Sequence, residues 1–385
     1  MFWYHATLCR SIATKGTTAT FRQWSYTTAT IPIVKTGAAA ATSTALFHTA
    51  RQCRRSAAVI SQQEKLAARS NLNVIDFFDP ALASQPPYFT LKHGAAGYAK
   101  SDKKPTTSPQ EDAIYSSIQI GDDAYFKRHD ALGVADGVGG WRKHAGANPA
   151  LYARKLMHYA QLELDRIDNN KRPSHVQQDQ PDPVMVLENA YHLTSLDAQN
   201  EASSFLAINF VGSTTACIVM LCQDELRVAN LGDCGVSIIR KDDFVFRSEE
   251  QQHSFNFPYQ LGTASFDYPS DAQQFSIKIE EGDIVIVASD GLFDNLFDDE
   301  ILEEVQSCAV GNNSAASVPQ LISDALALRA RLVSEDTSNP SSPFQCRAMH
   351  EGMYYQGGKA DDISVLVAVV NRDDRPREHS PPPLP

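Results

Sequence analysis

Aspartate stands beside glycine or a second aspartate in four short segments spread along the chain. They are Gly121-Asp122-Asp123-Ala124, Ala135-Asp136-Gly137-Val138-Gly139-Gly140, Ala288-Ser289-Asp290-Gly291 and Lys359-Ala360-Asp361-Asp362. Three of them adjoin an apolar run of strand length. A carboxylate at the tip of a buried strand is costly unless something neutralises it. A divalent cation shared by the tips would do so, and ligands that are all oxygen favour Mg2+ or Mn2+ over zinc. Taken singly, an Asp-Gly pair reads equally as a hairpin turn. Its recurrence at several strand ends points to a metal centre, and so to a metal-dependent hydrolase.

These tips need elements to carry them. Ala131 to Ala135 is a short apolar run leading into Asp136-Gly137. Helical spacing of apolar residues predicts helices over Pro149–Ile167 and Pro183–Leu196, with a polar loop between them. A strand-rich block follows: Ala216–Leu221, Glu225–Asn230, Gly235–Arg240, Phe244–Arg247, Phe275–Ile279 and Asp283–Ser289. The turns among the first four are too short for crossover helices, so these strands are antiparallel. Helices over Asp299–Cys308 and Val318–Val333 and a last strand over Ile363–Val370 complete the body. Strand blocks alternating with helix pairs predict an α+β fold with antiparallel sheets.

The chain has 385 residues and a formal net charge of -12. Residues 1–63 contain seven Lys or Arg and no acid, which leaves -19 on residues 64–385. An acidic body excludes a nucleic-acid surface, which needs clustered Lys and Arg. None of the seven cysteines forms a C-x-x-C pair, so they read as thiols in a reducing compartment.

Residues 1–63 are rich in Ala, Ser and Thr and dotted with arginine, the composition of a mitochondrial transit peptide. They lack the unbroken apolar run of a secretory signal, and Thr36 to Leu46 is too short and polar to span a bilayer. No stable membrane insertion is expected. Residues 64–110 read as a loose segment leading into a domain at 111–372, and residues 373–385 as a disordered, proline-rich tail.

Five segments occur in the order found in type 2C, metal-dependent (PPM) serine/threonine phosphatases. These are Gly133–Gly140, Gly212–Thr215, Val228–Cys234, Ala288–Asp294 and Gly358–Ser364. The chain resembles that family from about Gly121 to Asn371. Trp141 and Phe257-Pro258-Tyr259-Gln260-Leu261-Gly262 resemble its mitochondrial branch. The resemblance implies a four-layer α-β-β-α sandwich with a binuclear Mn2+ or Mg2+ site at one edge. It implies that Asp136 bridges both ions and that the Gly137 carbonyl ligates one. Asp290 and Asp361 then bind the first ion and Asp122 the second, with Asp123 holding a water on it. The implied reaction is attack of a metal-bridging hydroxide on phosphoserine or phosphothreonine, without a phosphoenzyme. Its substrates would be phosphorylated proteins of the mitochondrial matrix.

Several positions depart from the pattern or stay open. Ile118 stands where many members have a phosphate-binding arginine, and Val138 where some have a histidine. Arg142 is the candidate to hold substrate phosphate instead. Asp294 is either a third-metal ligand or a cap. Asp233 reads as a turn residue, and Asp362 as a strand cap or an added charge near the metals. The alternatives to a protein phosphatase are a metal-binding pseudophosphatase acting as an adaptor and a phosphohydrolase of small metabolites.

Overall fold

Strand β15, Ile363–Arg372, shows how the sequence builds the layers. Alternate side chains of a strand point to opposite faces. Leu366, Ala368 and Val370 face one apolar cluster, while Ile363, Val365 and Val367 face another. A strand buried on both sides must lie inside a stack of layers. The computed structural model describes residues 88–100, 114–144, 146–170, 182–203, 211–309, 318–336 and 341–373. The proposed transit segment and nearly all of the tail lie outside them.

In chain order the first elements are β1 (Phe89–Tyr98), β2 (Ile118–Ile120), β3 (Asp123–Lys127), β4 (Ala131–Ala135), α1 (Pro149–Asn170) and α2 (Pro183–Ser203). Next come β5 (Ser213–Thr214), β6 (Ala216–Cys222), β7 (Glu225–Leu231), β8 (Gly235–Arg240) and β9 (Asp243–Arg247). Short strands β10 (Gln252–Ser254), β11 (Phe257–Pro258) and β12 (Leu261–Gly262) precede β13 (Gln273–Lys278) and β14 (Ile284–Ala288). The last helices are α3 (Asp290–Phe293), α4 (Asp298–Ala309), α5 (Val318–Glu335) and α6 (Pro343–His350), before β15.

One sheet runs β13-β7-β6-β4-β3-β2 and the other β1-β15-β14-β8-β9. Leu132, Val134, Val219 and Val228 of the first meet Val236, Ile238, Val285 and Leu366 of the second between the sheets. Helices α1 and α2 cover the outer face of the first sheet, with Leu156, Met157 and Leu187 against Phe126 and Ile218. Helices α4 and α5 cover the second, with Ile301, Ile322 and Leu326 against Ile286, Val365 and Val367. The fold is the expected α-β-β-α sandwich. Each fully buried Leu, Ile or Val contributes about 1.5–3 kcal/mol relative to exposure.

The registers place the strand tips together. Ala124 at the start of β3 pairs with Ala135 at the end of β4, so Asp122, Asp123 and Asp136 share one edge. Ala288 at the end of β14 pairs with Val365 and Gly235, near the starts of β15 and β8. That brings Asp290, Asp361 and Asp233 to neighbouring positions.

One expectation is corrected. The segment read as loose contains β1, a ten-residue strand paired with β15 along its whole length. Its sequence, rich in Gly and Ala, carries little strand signal. The glycine is required: a Cβ on Gly94 would lie 2.4 Å from the Gln320 backbone of α5. Among the described residues no helix is long and apolar enough to cross a membrane.

Candidate metal centre

Each acidic tip is fixed by its backbone before its carboxylate does anything. Thr214 and Thr215 hold Asp136. The Asp136 N–H donates to Thr215 Oγ1 at 3.2 Å, and its carbonyl accepts Thr214 Oγ1 at 2.7 Å and the Thr215 N–H at 2.9 Å. The Gly212–Thr215 segment thus serves as a cradle for this aspartate. Gly137 must be glycine, because a Cβ there would lie 2.6 Å from the Asp122 carbonyl and 2.8 Å from that of Pro149. Asp362 is a clamp. Its two oxygens accept the Lys100 N–H at 2.7 Å and the Asp122 N–H at 2.8 Å, tying the β2–β3 turn to β15.

The carboxylates then converge on a cavity of about 970 Å3 lined by Asp122, Asp136, Gly137, Asp233, Asp290 and Asp361. Ligand oxygens of Asp136, Asp233 and Asp290 all lie within 4.8 Å of one another. Asp123 is fully buried beside them; its Oδ2 accepts the Ser289 hydroxyl at 2.7 Å. Asp123 Oδ1, Asp233 Oδ1 and Asp290 Oδ1 are buried without a hydrogen-bond partner. Orphaned carboxylate oxygens are expensive in neutral surroundings and suit a hard cation. The donor set therefore fits a divalent metal ion. Asp233 was not predicted as part of it. The signal was present, because Gly232-Asp233 follows strand β7 as Asp136 and Asp290 follow β4 and β14.

Electrostatics agree with the geometry. Burial first, then the negative charge of Asp290 and its neighbours, pushes Asp136 and Asp233 well above the usual carboxylate range. Burial followed by the charge of Asp362 does the same to Asp123. Burial and mutual repulsion both disfavour the charged forms.

Three basic side chains temper the site. Arg142, in the 3-10 turn Gly139–Lys143, donates from Nη2 to Asp122 Oδ1 at 2.6 Å and from Nε to Asp122 Oδ2 at 3.0 Å. Lys359 Nζ donates to Asp290 Oδ2 and, at 2.6 Å, to Asp294 Oδ2. Arg347 Nη2 donates to Asp294 Oδ1. Asp294 does not line the cavity; it caps α3 behind Asp290.

Another part of the cavity wall is a flap built from β10, β11 and the residues beside them, among them His253, Asn256, Phe257, Pro258 and Gln260. A hydrogen-bonded chain ties it to the Arg142 turn. The Trp141 indole N–H donates to Ser213 Oγ at 2.6 Å, and the Ser213 hydroxyl donates to Gln260 Oε1. The Gln260 N–H donates to Asp267 Oδ2 at 2.9 Å, and His253 Nε2 lies 3.0 Å from both Asp267 oxygens. Phe257 and Phe266 are exposed at the rim.

Comparison with known proteins decides the family. A PTC7 homolog protein phosphatase of Danio rerio is 38% identical over 298 residues, covering 73% of this chain and 90% of the relative. The chain belongs to the type 2C (PPM) protein phosphatase family. The Stage II sporulation protein E (SpoIIE) family also matches residues 173–371. Probable protein phosphatase 2C 80 of Arabidopsis thaliana is 37% identical over 253 residues, covering 65% of this chain. This type 2C chain spans about half the length of that relative and of probable protein phosphatase 2C 55, at 54% and 50%. The X-ray structure of the photosystem II phosphatase PBCP superposes with a TM-score of 0.54 at 29% identity. It covers 72% of this type 2C chain and 98% of its own.

Proposed function

We propose that the chain is a metal-dependent phosphoserine/phosphothreonine protein phosphatase of the mitochondrial matrix. The observation that carries this is the set of orphaned, buried oxygens on Asp123, Asp233 and Asp290 beside Asp136. In this reading Asp136, the Gly137 carbonyl, Asp290, Asp361, Asp122 and Asp123 would together hold two Mn2+ or Mg2+ ions, with the carbonyl on one of them. Such ions, when bound, supply Lewis-acid charge and an activated water.

The reaction is hydrolysis of a phosphomonoester: water adds to phosphorus, the P–O bond to the serine or threonine breaks, and its oxygen leaves with a proton. The protein's own groups position this. Arg142 is half-exposed on the cavity wall and is the side chain offered to the phosphate oxygens. A thiol route has no support, because Cys234, next to Asp233, is buried and burial together with Asp136 pushes it well above the usual thiol range. This supports direct attack by water without a phosphoenzyme. The cavity opens beside exposed Phe257 and Phe266, which suits a peptide chain better than an isolated metabolite. The basic, acid-free residues 1–63 support the matrix address.

The test is hydrolysis of a phosphothreonine peptide and an aryl phosphate by the full chain with Mn2+, beside Asp290→Asn. The wild type should exceed the variant by more than the roughly 10–100-fold that loss of an outer-shell partner costs. Equal rates would sink the enzyme reading. The address is tested by locating the tagged full chain in cells with and without residues 1–63.

A further inference from the structure

Lys359 is placed unlike any other basic residue of the centre. Its side chain is only 13% exposed, and its ammonium faces three carboxylates: Asp290 Oδ2, Asp294 Oδ2 at 2.6 Å and Asp361 Oδ2 at 3.4 Å. An ammonium has three donors and no acceptor, so all three are answered. The residue is pinned at its backbone as well. Asn295 Oδ1 accepts the Lys359 N–H at 2.9 Å, and Asn295 Nδ2 donates to the Lys359 carbonyl at 3.0 Å.

The two oxygens of Asp290 do different things. Oδ2 is taken by Lys359, while Oδ1 is buried without a partner. Asp294 has no oxygen left over: Lys359 takes Oδ2, and Arg347, itself paired with Glu250 at 2.9 Å, takes Oδ1. A divalent ion shared by Asp294 Oδ2 and Asp290 would have to displace the Lys359 ammonium, which holds both, whereas Arg347 sits on the other Asp294 oxygen.

We infer that Lys359 is a built-in cation that takes the place of a third metal ion, neutralising Asp294 and the outer oxygen of Asp290 so that the centre loads two ions. This rests on the two-ion reading above. The ammonium also splits the duty of Asp290, leaving Oδ1 as the oxygen offered to metal.

The test counts metal. The full-length protein is dialysed to equilibrium against saturating Mn2+, and bound ion per chain is measured by atomic emission, with folding checked by circular dichroism. The wild type should bind two ions. Lys359→Met, which keeps length but removes charge, should bind three, and Lys359→Met with Asp294→Asn should return to two. Asp294→Asn alone should leave the wild-type count at two, a result that stands even if Lys359→Met fails to fold. Three ions in the wild type, two in a folded Lys359→Met, or a lost ion in Asp294→Asn overturns the inference. A wild type with three ions and full activity removes this inference alone, whereas a wild type that binds none removes the two-ion reading with it.

Discussion

The carboxylate of Asp362 accepts the backbone N–H of Asp122 at 2.8 Å, across 240 residues of sequence. Through this bond β15 fixes the turn that carries Asp122. The turn cannot accept a side chain at its glycine: Gly121 has a φ of +62°, and a Cβ there would lie 2.0 Å from Asp362 Oδ1.

Asp362→Ala therefore strands two N–H groups, those of Asp122 and Lys100. The Asp122 N–H is buried, and leaving it unsatisfied costs about 1–3 kcal/mol; the Lys100 N–H is only part-buried and adds less. Urea unfolding of the metal-free protein should show a loss in that range, and Mn2+ affinity should fall as Asp122 drifts. Asp362→Asn keeps one acceptor oxygen and should lose less. If Asp362→Ala binds Mn2+ like the wild type, the clamp is not what holds Asp122.

Arg142 answers to two carriers of negative charge, Asp122 in the structure and substrate phosphate in the proposed reaction. Arg142→Ala should raise KM for a phosphopeptide about 10–100-fold, the range that follows from losing a charge-assisted hydrogen bond of about 1.5–3 kcal/mol. The change in kcat should be smaller. The same variant removes the Arg142 cation from Asp122, so Mn2+ affinity should rise. Steady-state kinetics and a Mn2+ titration read the two effects separately; an unchanged KM would remove Arg142 from substrate binding.

Much of this centre could be read from the chain because strand tips keep a simple signature: an apolar run, then Asp with Gly. Asp136 and Asp290 follow it, and both lie in the cluster. Asp233 follows it too, but Gly232-Asp233 also satisfies a turn, and only register reveals the carboxylate beside Asp136. Strand β1 was lost because Gly94, Ala95, Ala96 and Gly97 hide the alternation that pairing with β15 restores. Lys359 and Arg347 gave no signal at all. A lysine two residues before Asp361 looks like surface charge until folding buries it against α3.

Gln260 joins the Trp141–Ser213 contact to Asp267 and the flap. Its replacement by Leu should loosen the flap without touching the carboxylates. The expected result is a several-fold higher KM for a phosphopeptide, in line with about 0.5–1.5 kcal/mol per neutral hydrogen bond, and an unchanged KM for a small aryl phosphate. Equal effects on both substrates would mean that the flap shapes the metal site, not peptide binding.

The pH dependence of the metal-free protein has a definite sign. Asp123, Asp136 and Asp233 hold protons more tightly when folded than at their ordinary value of 3.8, first through burial and then through neighbouring carboxylates. Between that value and their raised ones, the folded chain binds more protons than the unfolded chain. Stability then falls as pH rises through this window. In EDTA, the Tm should therefore rise as pH is lowered through this window. Below about 6.5, His93 and His158, both lowered by burial, work in the opposite direction. The comparison with Asp136→Asn isolates the aspartates: that variant should melt higher than the wild type in EDTA at pH 8, with a flatter pH slope. Saturating Mn2+ should reverse the wild-type slope, because protons compete with the ion for the same oxygens. A wild-type Tm in EDTA that falls steadily on acidification from pH 8, with Asp136→Asn parallel to it throughout, would show that these carboxylates are not buried together.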